Sequence, residues 1–232
     1  MSASSLKRVH DAVVIGSGAG GSTVAYRLAQ QGHHVLIIEK GDYIQHLRPD
    51  LSTPEARFYP NFNGMSVVGG PTKFYGAALY RMREIDFRAT RHEAGESPAW
   101  PIEYGELEPY YCEAEELYGV RGAAQGDPSE PRRSKPFPHA PIPHHPTVQR
   151  LVNRLQTTGN SVAPIPRAID YGPNGKCRLC GTCDAYYCQY DAKLDAEIAA
   201  LRPALRTGRV DLMTNTECLR ILTDSTESEP EG

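Results

Sequence analysis

Two groups of residues in this chain are spaced for chemistry. The first is a set of glycines, Gly16, Gly18 and Gly21, in the run DAVVIGSGAGGS from Asp11 to Ser22. They satisfy G-x-G-x-x-G, in which the first glycine allows a tight turn and the second lets backbone approach a pyrophosphate. The third lets a helix pack closely on a strand. Ala19 and Gly20 complete this cradle at the start of a predicted helix, whose free N–H groups and positive dipole end would face the anion. The second group is Cys177, Cys180, Cys183 and Cys188, four of the six cysteines, in CRLCGTCDAYYC. The spacing C-x2-C-x2-C-x4-C is closer to an iron–sulfur run than to the two separated C-x2-C knuckles of a zinc site. The fourth cysteine comes one residue later than in a ferredoxin run, and Gln189 follows it in place of proline. Three readings stay open: an iron–sulfur cluster, free or disulfide-paired structural cysteines, and zinc.

The glycine turn needs a strand before it and a helix after it, and both are present in the pattern. Ala12, Val13, Val14 and Ile15 form a short apolar run without helical period, as expected of a central parallel strand. Ser22 to Gln31 is compatible with a helix, and Gly32 stands where a C-terminal glycine belongs. HVLIIE, His34 to Glu39, reads as a second buried strand ending in an acid. Glu39 lies near the expected spacing of roughly 20 residues for a carboxylate that accepts hydrogen bonds from ribose hydroxyls. The expectation is therefore a βαβ unit holding a dinucleotide, with Lys40-Gly41-Asp42 as the turn beyond it.

Composition narrows the partners. The chain has 232 residues, enough for a substantial core in one large or two small domains, and a formal net charge of −3. That balance gives no electrostatic argument for nucleic acid or an anionic membrane. No apolar run approaches a membrane span, and MSASSLKRVHDA lacks the apolar stretch of a secretory signal, so a cytoplasmic location is expected. Proline is frequent, 19 in the whole chain, and clusters between Pro128 and Pro166, where regular structure is not expected. His139, His144 and His145 fall in this stretch and read as solvated loop residues rather than as metal ligands.

Further along, Met65 to Phe87 is glycine-rich (MSVVGGPTKFYGAALYRMREIDF), with Gly70, Thr72 and Gly76 able to let backbone or a hydroxyl approach a flat or charged ligand. WPIEYGELEPYYCEAEELYGV, Trp100 to Val120, reads as a helix from about Gly105. Leu107, Tyr110, Tyr111, Ala114, Leu117 and Tyr118 would form its packing face, and Cys112 would be a small buried residue. Ala192 to Leu205 is helix-prone and ends at Gly208, after which Val210–Thr214 and Glu217–Leu222 read as strands.

Four blocks in this order resemble the glucose–methanol–choline family of FAD-dependent oxidoreductases. They are GSGAGGSTVAYRLAQQGHHVLIIEKG, GGPTKFYGAALYRMREIDF, the Trp100 to Val120 block, and AKLDAEIAALRPALRTGRVDLMTNTECLRILTD. The resemblance implies an α/β fold: a Rossmann-like FAD-binding domain with a parallel sheet, a partial substrate-domain excursion, and no counterpart of the family's C-terminal half. It implies FAD contacts from Gly16, Gly18, Ala19, Gly20, Gly21, Glu39, Lys40, Gly70, Thr72 and Gly76. The position of Cys218 implies a backbone contact to the adenine. Cys177, Cys180, Cys183 and Cys188 are similar in placement, though not identical in spacing, to the cluster cysteines of some sugar dehydrogenases of the family. Other members have cysteines here and no established cluster, so iron–sulfur stays one of the three open readings. The expected organisation is residues 1–95 as the first part of the FAD domain, 96–170 as helix and proline-rich excursion, and 171–232 as the cysteine cluster with the return helix and strand.

The family oxidises a C–OH carbon by hydride transfer to flavin, with a histidine beside the reacting atoms. None of the eight histidines sits in a matching context, so no catalytic residue is assigned. The expectations are a small alcohol, polyol, choline or sugar substrate, and a quinone or protein electron acceptor. The sequence looks like the N-terminal part of such an enzyme, either a truncated product or a fragment whose partner chain supplies the C-terminal half. The chain alone is then expected to bind FAD weakly and to oxidise no alcohol. The alternatives are an FAD-binding electron-transfer subunit and a non-functional remnant.

Overall fold

Ala12–Ile15 forms β1, Ala19–Gln30 forms α1 and Val35–Ile38 forms β2 in a computed structural model describing residues 9–47, 50–58 and 66–222. β1 and β2 are parallel, with Ala12 opposite Val35 and Ile15 opposite Ile38. A third strand, Val210–Met213, lies parallel to β2 on its other side, Val35 facing Val210 and Ile38 facing Met213. The order is thus β1, β2, then the return strand. The apolar runs do what their composition dictates: Val35, Ile37 and Val210 are buried with Ala25 and Ala29 of α1. Small residues on α1 let it lie close to the sheet. Leu201 and Ala204 of the return helix complete the same core.

β1 departs from the expectation of a central strand. Among the described residues it is the edge of the three-stranded sheet, and Val13 and Ile15 are 57% and 54% exposed. An all-apolar parallel strand is stable in this setting only with something further against it, because parallel sheets are normally covered on both faces.

The chain divides into two compact units, residues 1–73 with 196–232, and residues 74–195. These cuts fall at different places from the expected 1–95, 96–170 and 171–232. The first unit contains the sheet and α1. It also contains the return helix, a π-helical turn at Glu197–Leu201 running into an α-helix at Arg202–Arg206. Gly208, with φ of +69°, closes it as expected of a C-terminal glycine. The predicted strand at 217–222 is not formed: Leu219, Ile221 and Leu222 are largely exposed and hydrogen-bond to no neighbouring strand among the described residues. Strand propensity alone does not make a strand without a partner to complete the ladder.

The second unit is built around α2, Tyr104–Leu117. The sequence placed the packing face on Leu107, Tyr110, Tyr111, Ala114, Leu117 and Tyr118. Of these Tyr118 is buried and Leu107, Tyr111 and Leu117 are half-buried, while within the helix the buried stripe is Tyr104, Glu108, Cys112 and Glu115. Tyr110 and Ala114 are exposed. The stripe is polar because Arg81 and Arg133 reach it from elsewhere in the chain. Arg81 donates to Glu115 at 2.8 Å and to Glu108 at 3.0 Å, and Arg133 to Glu115 at 2.7 Å. Cys112 is buried as expected, but inside this ionic cluster: its thiol donates to Glu108 and accepts from Arg81, each at 3.2 Å.

The proline-rich stretch also differs from its reading. Pro146–Thr157 is a twelve-residue helix, α3. Pro146 sits at its first turn, where a missing N–H costs nothing, and His145 caps it by accepting from the Thr147 N–H at 3.3 Å. Short antiparallel pairs, Thr90–His92 with Gly95–Ser97 and Val120–Arg121 with Arg167–Ala168, complete the unit. No helix among the described residues is long and apolar enough to cross a membrane.

Candidate cofactor site

The glycine turn closes between β1 and α1 as its residue types require. Gly16 has φ of +90°, a left-handed conformation that glycine adopts without strain, and its N–H donates to the Ile38 carbonyl at 2.8 Å. Gly18 is the N-cap of α1. No side chain caps that end and no acid lies in its first turn. The first-turn amides of a helix have no intrahelical acceptor, so Ala19, Gly20 and Gly21 present N–H groups at the positive end of the dipole. A Cβ on Gly18 or Gly20 would meet nothing within 4 Å, whereas one on Gly21 would lie 1.9 Å from the Gly16 carbonyl oxygen. The turn therefore leaves open space on its outer side and close contact on its inner side, which suits a diphosphate lying across it.

Glu39 ends β2 beside this turn and is nearly buried. Its Oε2 accepts from the Ser17 N–H at 2.9 Å and the Ser17 hydroxyl at 2.7 Å, and its Oε1 accepts from the Gly41 N–H at 2.8 Å. A carboxylate has about four lone-pair positions, so Oε1 keeps acceptor capacity for a ribose hydroxyl. The carboxylate is thus held in place before any ligand arrives. Lys40, in contrast, points to the surface and pairs with Glu217 at 2.7 Å, both more than half exposed. Such a pair contributes about 0–1 kcal/mol.

The second glycine loop, a 3-10 turn at Gly70–Lys73, comes directly against the first. The Gly69 N–H donates to the Ser17 hydroxyl oxygen at 3.1 Å. A Cβ on Gly70 would stand 3.2 Å from the Gly18 Cα. The Thr72 hydroxyl is engaged within the protein, donating to the Gly69 carbonyl at 2.6 Å and accepting from the Ala196 N–H at 3.0 Å. Lys73 is fully buried and ion-paired to Glu197 of the π-helical turn, which Arg202 also approaches at 2.8 Å. Three non-consecutive segments are therefore fastened around Ser17 and Thr72.

The remaining expected positions lie elsewhere. Gly76 belongs to the second unit, where it packs near Asp184. Cys218 is half-buried beyond Thr216, whose N–H donates to the Glu39 carbonyl at 3.0 Å, so the return segment runs beside the end of β2. Cys177, Cys180, Cys183 and Cys188 are in the thiol form, not disulfide-bonded, and line one cavity of about 290 Å³ in the second unit. Among the described residues, no three His, Cys, Asp or Glu side chains are placed to hold a metal ion. Burial pushes the Cys183 thiol up. Its carbonyl, with those of Tyr75 and Tyr186, accepts from the buried Lys193 ammonium at 2.6 to 2.9 Å.

Ser17 is the residue that the sequence reading missed. It occupies a variable position of G-x-G-x-x-G, so the motif gives no reason to single it out. A hydroxyl next to the turn, facing an acid at the end of the following strand, is the signal that marks it.

Comparison with known proteins agrees with this geometry. Residues 14–45 match the NAD(P)-binding Rossmann-like domain family. Over 94% of its length the chain is 33% identical to paromamine 6'-oxidase of Streptomyces fradiae, covering 42% of that protein. The relatives are glucose–methanol–choline oxidoreductases, and the chain resembles them along most of its length. It is 34% identical to 2-methyl-1,2-propanediol dehydrogenase of Mycolicibacterium austroafricanum, over 53% of this chain and 27% of the relative. It is 27% identical to the fructose dehydrogenase large subunit of Gluconobacter japonicus, over 74% of this chain and 39% of the relative. The chain spans under half the length of each of these relatives.

Proposed function

We propose that this chain is the FAD-holding part of an oxidoreductase acting on the CH–OH group of a sugar, polyol, choline or alcohol. The observation that carries this reading is the uncapped N-terminus of α1 over the Gly16 turn, with a pinned acid at the end of β2. When bound, FAD would supply a two-electron acceptor for hydride from the C–OH carbon. The residues here bind and orient. First-turn amides of α1 hold the diphosphate, Glu39 accepts from the adenosine ribose, and the Gly69–Gly70 backbone faces the same ligand. Lys40, Thr72, Gly76 and the Cys218 backbone enter the same proposal by resemblance to the family alone. The names paromamine 6'-oxidase, 2-methyl-1,2-propanediol dehydrogenase and fructose dehydrogenase among the relatives favour a polyhydroxylated substrate.

The open edge of β1 supports a second element of this reading. Exposed Val13 and Ile15 call for a further strand and a covering layer. We assign that role to polypeptide beyond the described residues, either continuous with this chain or in a partner. The catalytic base and most substrate contacts would come from there, and electrons would leave to a quinone, a protein acceptor or oxygen.

Titration with FAD, ADP and riboflavin tests the cofactor reading. FAD and ADP are expected to compete for one site while riboflavin, which lacks the diphosphate and adenosine, does not. A folded preparation that retains no FAD at saturating concentration would overturn the reading. The 232-residue chain alone is expected to take up FAD weakly and to show no alcohol-dependent bleaching. Iron and acid-labile sulfide measured in anaerobically prepared protein test the cluster reading of the cysteines, which an iron-free product would end.

A further inference from the structure

We infer that Ser17 is a positioning residue that couples occupancy of the adenosine end of the site to the order of the second glycine loop. This inference rests on the cofactor reading above. The Ser17 side chain is fully buried, and its hydroxyl both donates and accepts. The proton goes to Glu39 Oε2 at 2.7 Å, and a lone pair receives the Gly69 N–H at 3.1 Å. Its backbone is used as well: the N–H donates to the same carboxylate oxygen, and the carbonyl accepts from the Ser22 hydroxyl of α1 at 2.6 Å.

A hydroxyl has one proton, so these roles are not independent. While the proton is held by Glu39, the lone pairs are turned toward Gly69. If the carboxylate rotates away, Ser17 is free to reorient and the buried Gly69 N–H loses its acceptor, which is costly in a place without water. A ribose hydroxyl donating to Glu39 adds a further hydrogen bond to a carboxylate already held by Ser17 and Gly41, and so restricts Ser17 more tightly. Beyond Gly69 the effect has a path to continue. The Thr72 hydroxyl ties the Gly69 carbonyl to the Ala196 N–H, and Lys73 ties the loop to Glu197. Binding at one end therefore tightens backbone that would face the other end of the same ligand. Ligand-dependent ordering of this kind couples sites through reduced local motion rather than through displacement.

ADP is the probe, because it occupies the adenosine end and has no flavin ring to touch the second loop. Hydrogen exchange is followed in peptides covering residues 66–73, with and without saturating ADP, in the wild-type chain, Ser17→Ala and Ser17→Thr. ADP is expected to slow exchange there by roughly fivefold or more in wild type, a response lost in Ser17→Ala and retained in Ser17→Thr, which keeps the hydroxyl. ADP that binds wild type without slowing this segment overturns the inference, and needs no variant to do so. Retention of the full response in Ser17→Ala also overturns it. If ADP does not bind wild type at all, the cofactor reading falls separately. The ligand-free pair then decides the role of Ser17: faster exchange in Ser17→Ala supports it and equal exchange removes it.

Discussion

Replacing Gly21 with alanine is expected to abolish FAD uptake and to lower the stability of the first unit by several kilocalories per mole. The added Cβ would fall 1.9 Å from the Gly16 carbonyl oxygen and 3.1 Å from the Val14 Cγ1. Neither neighbour is the free end of a flexible chain. One is backbone of the turn itself and the other belongs to β1. The helix must move away from the strand, carrying its first-turn amides off the anion position. Overpacking of this kind costs about 1–3 kcal/mol and sometimes more. Two neighbouring glycines make the controls. Gly20→Ala meets nothing within 4 Å and lies in α1, so it should raise stability by about 0.5–1 kcal/mol through helix propensity. Gly18→Ala also meets nothing within the protein, and its φ of −70° suits any residue. It should leave the melting temperature unchanged while weakening FAD at least tenfold, because its methyl group would occupy the open side of the turn. Thermal melts with FAD titration separate the three outcomes. Equal loss of stability in all three would refute the inside-and-outside account of the turn.

The order in which these glycines matter was legible in the sequence because it depends on local geometry. A turn, a helix start and a strand are set by neighbours within a few residues, and the sequence placed β1, α1, β2 and the return helix close to where they lie. Glu39 was legible for the same reason, as the residue ending a short apolar strand. What was not legible is the set of long-range contacts. Nothing near Ser17 in the chain indicates that Gly69, 52 residues later, will donate to its hydroxyl. Thr72 offered a hydroxyl that the sequence assigned to a ligand, yet the fold turns it toward Ala196, 124 residues away.

The second unit shows the same limit more sharply. Periodicity on α2 favoured its tyrosines and leucines, since apolar spacing is the usual mark of a buried face. Glu108, Cys112 and Glu115 also fall at helical spacing, and they are buried because two guanidinium groups come to meet them. Charge buried in pairs leaves no hydropathy signal. In the proline-rich stretch, counting prolines pointed away from regular structure. The position of one of them, Pro146 at the first turn of α3, mattered more than their number. At the cysteines, spacing suggested a shared ligand. Left-handed backbone at Leu179, Gly181 and Ala185 instead folds the segment into turns around a common cavity.

Arg81→Met is expected to have the largest effect on the second unit, and the cause can be separated from simple loss of packing. The Arg81 side chain is 2% exposed. Its guanidinium donates to both oxygens of Glu115 at 2.8 Å, to Glu108 at 3.0 Å, to the Tyr104 hydroxyl at 3.1 Å and to the Cys112 sulfur at 3.2 Å. Burial alone would lower its pKa, but these hydrogen bonds together raise it, so it is charged at every working pH. Methionine matches its length and leaves Glu108 without its counter-charge, while Glu115 keeps only Arg133. Removing one member of a buried ion cluster costs about 3–5 kcal/mol, because the remaining charge stays desolvated. The pH dependence gives the mechanism. The Ser134 N–H is the largest cause holding the Glu108 carboxyl down, with the Cys112 thiol, the Ser134 hydroxyl and Arg81 adding to it against burial. Its pKa falls from 4.5 to about 2. A carboxylate lowered in the folded state stabilises fully above its unfolded value near 4.5, and that contribution disappears as pH falls toward 2. Wild type should therefore lose stability between these limits. In Arg81→Met the step should shrink only slightly, since Arg81 is the smallest of the causes that lower the folded-state pKa and the Ser134 N–H still holds it down. Adding Glu108→Gln and Glu115→Gln to Arg81→Met removes the stranded charges and should recover part of the loss. If the triple variant is no more stable than Arg81→Met, and acid titration of the two is alike, the destabilisation comes from shape and not from unpaired charge.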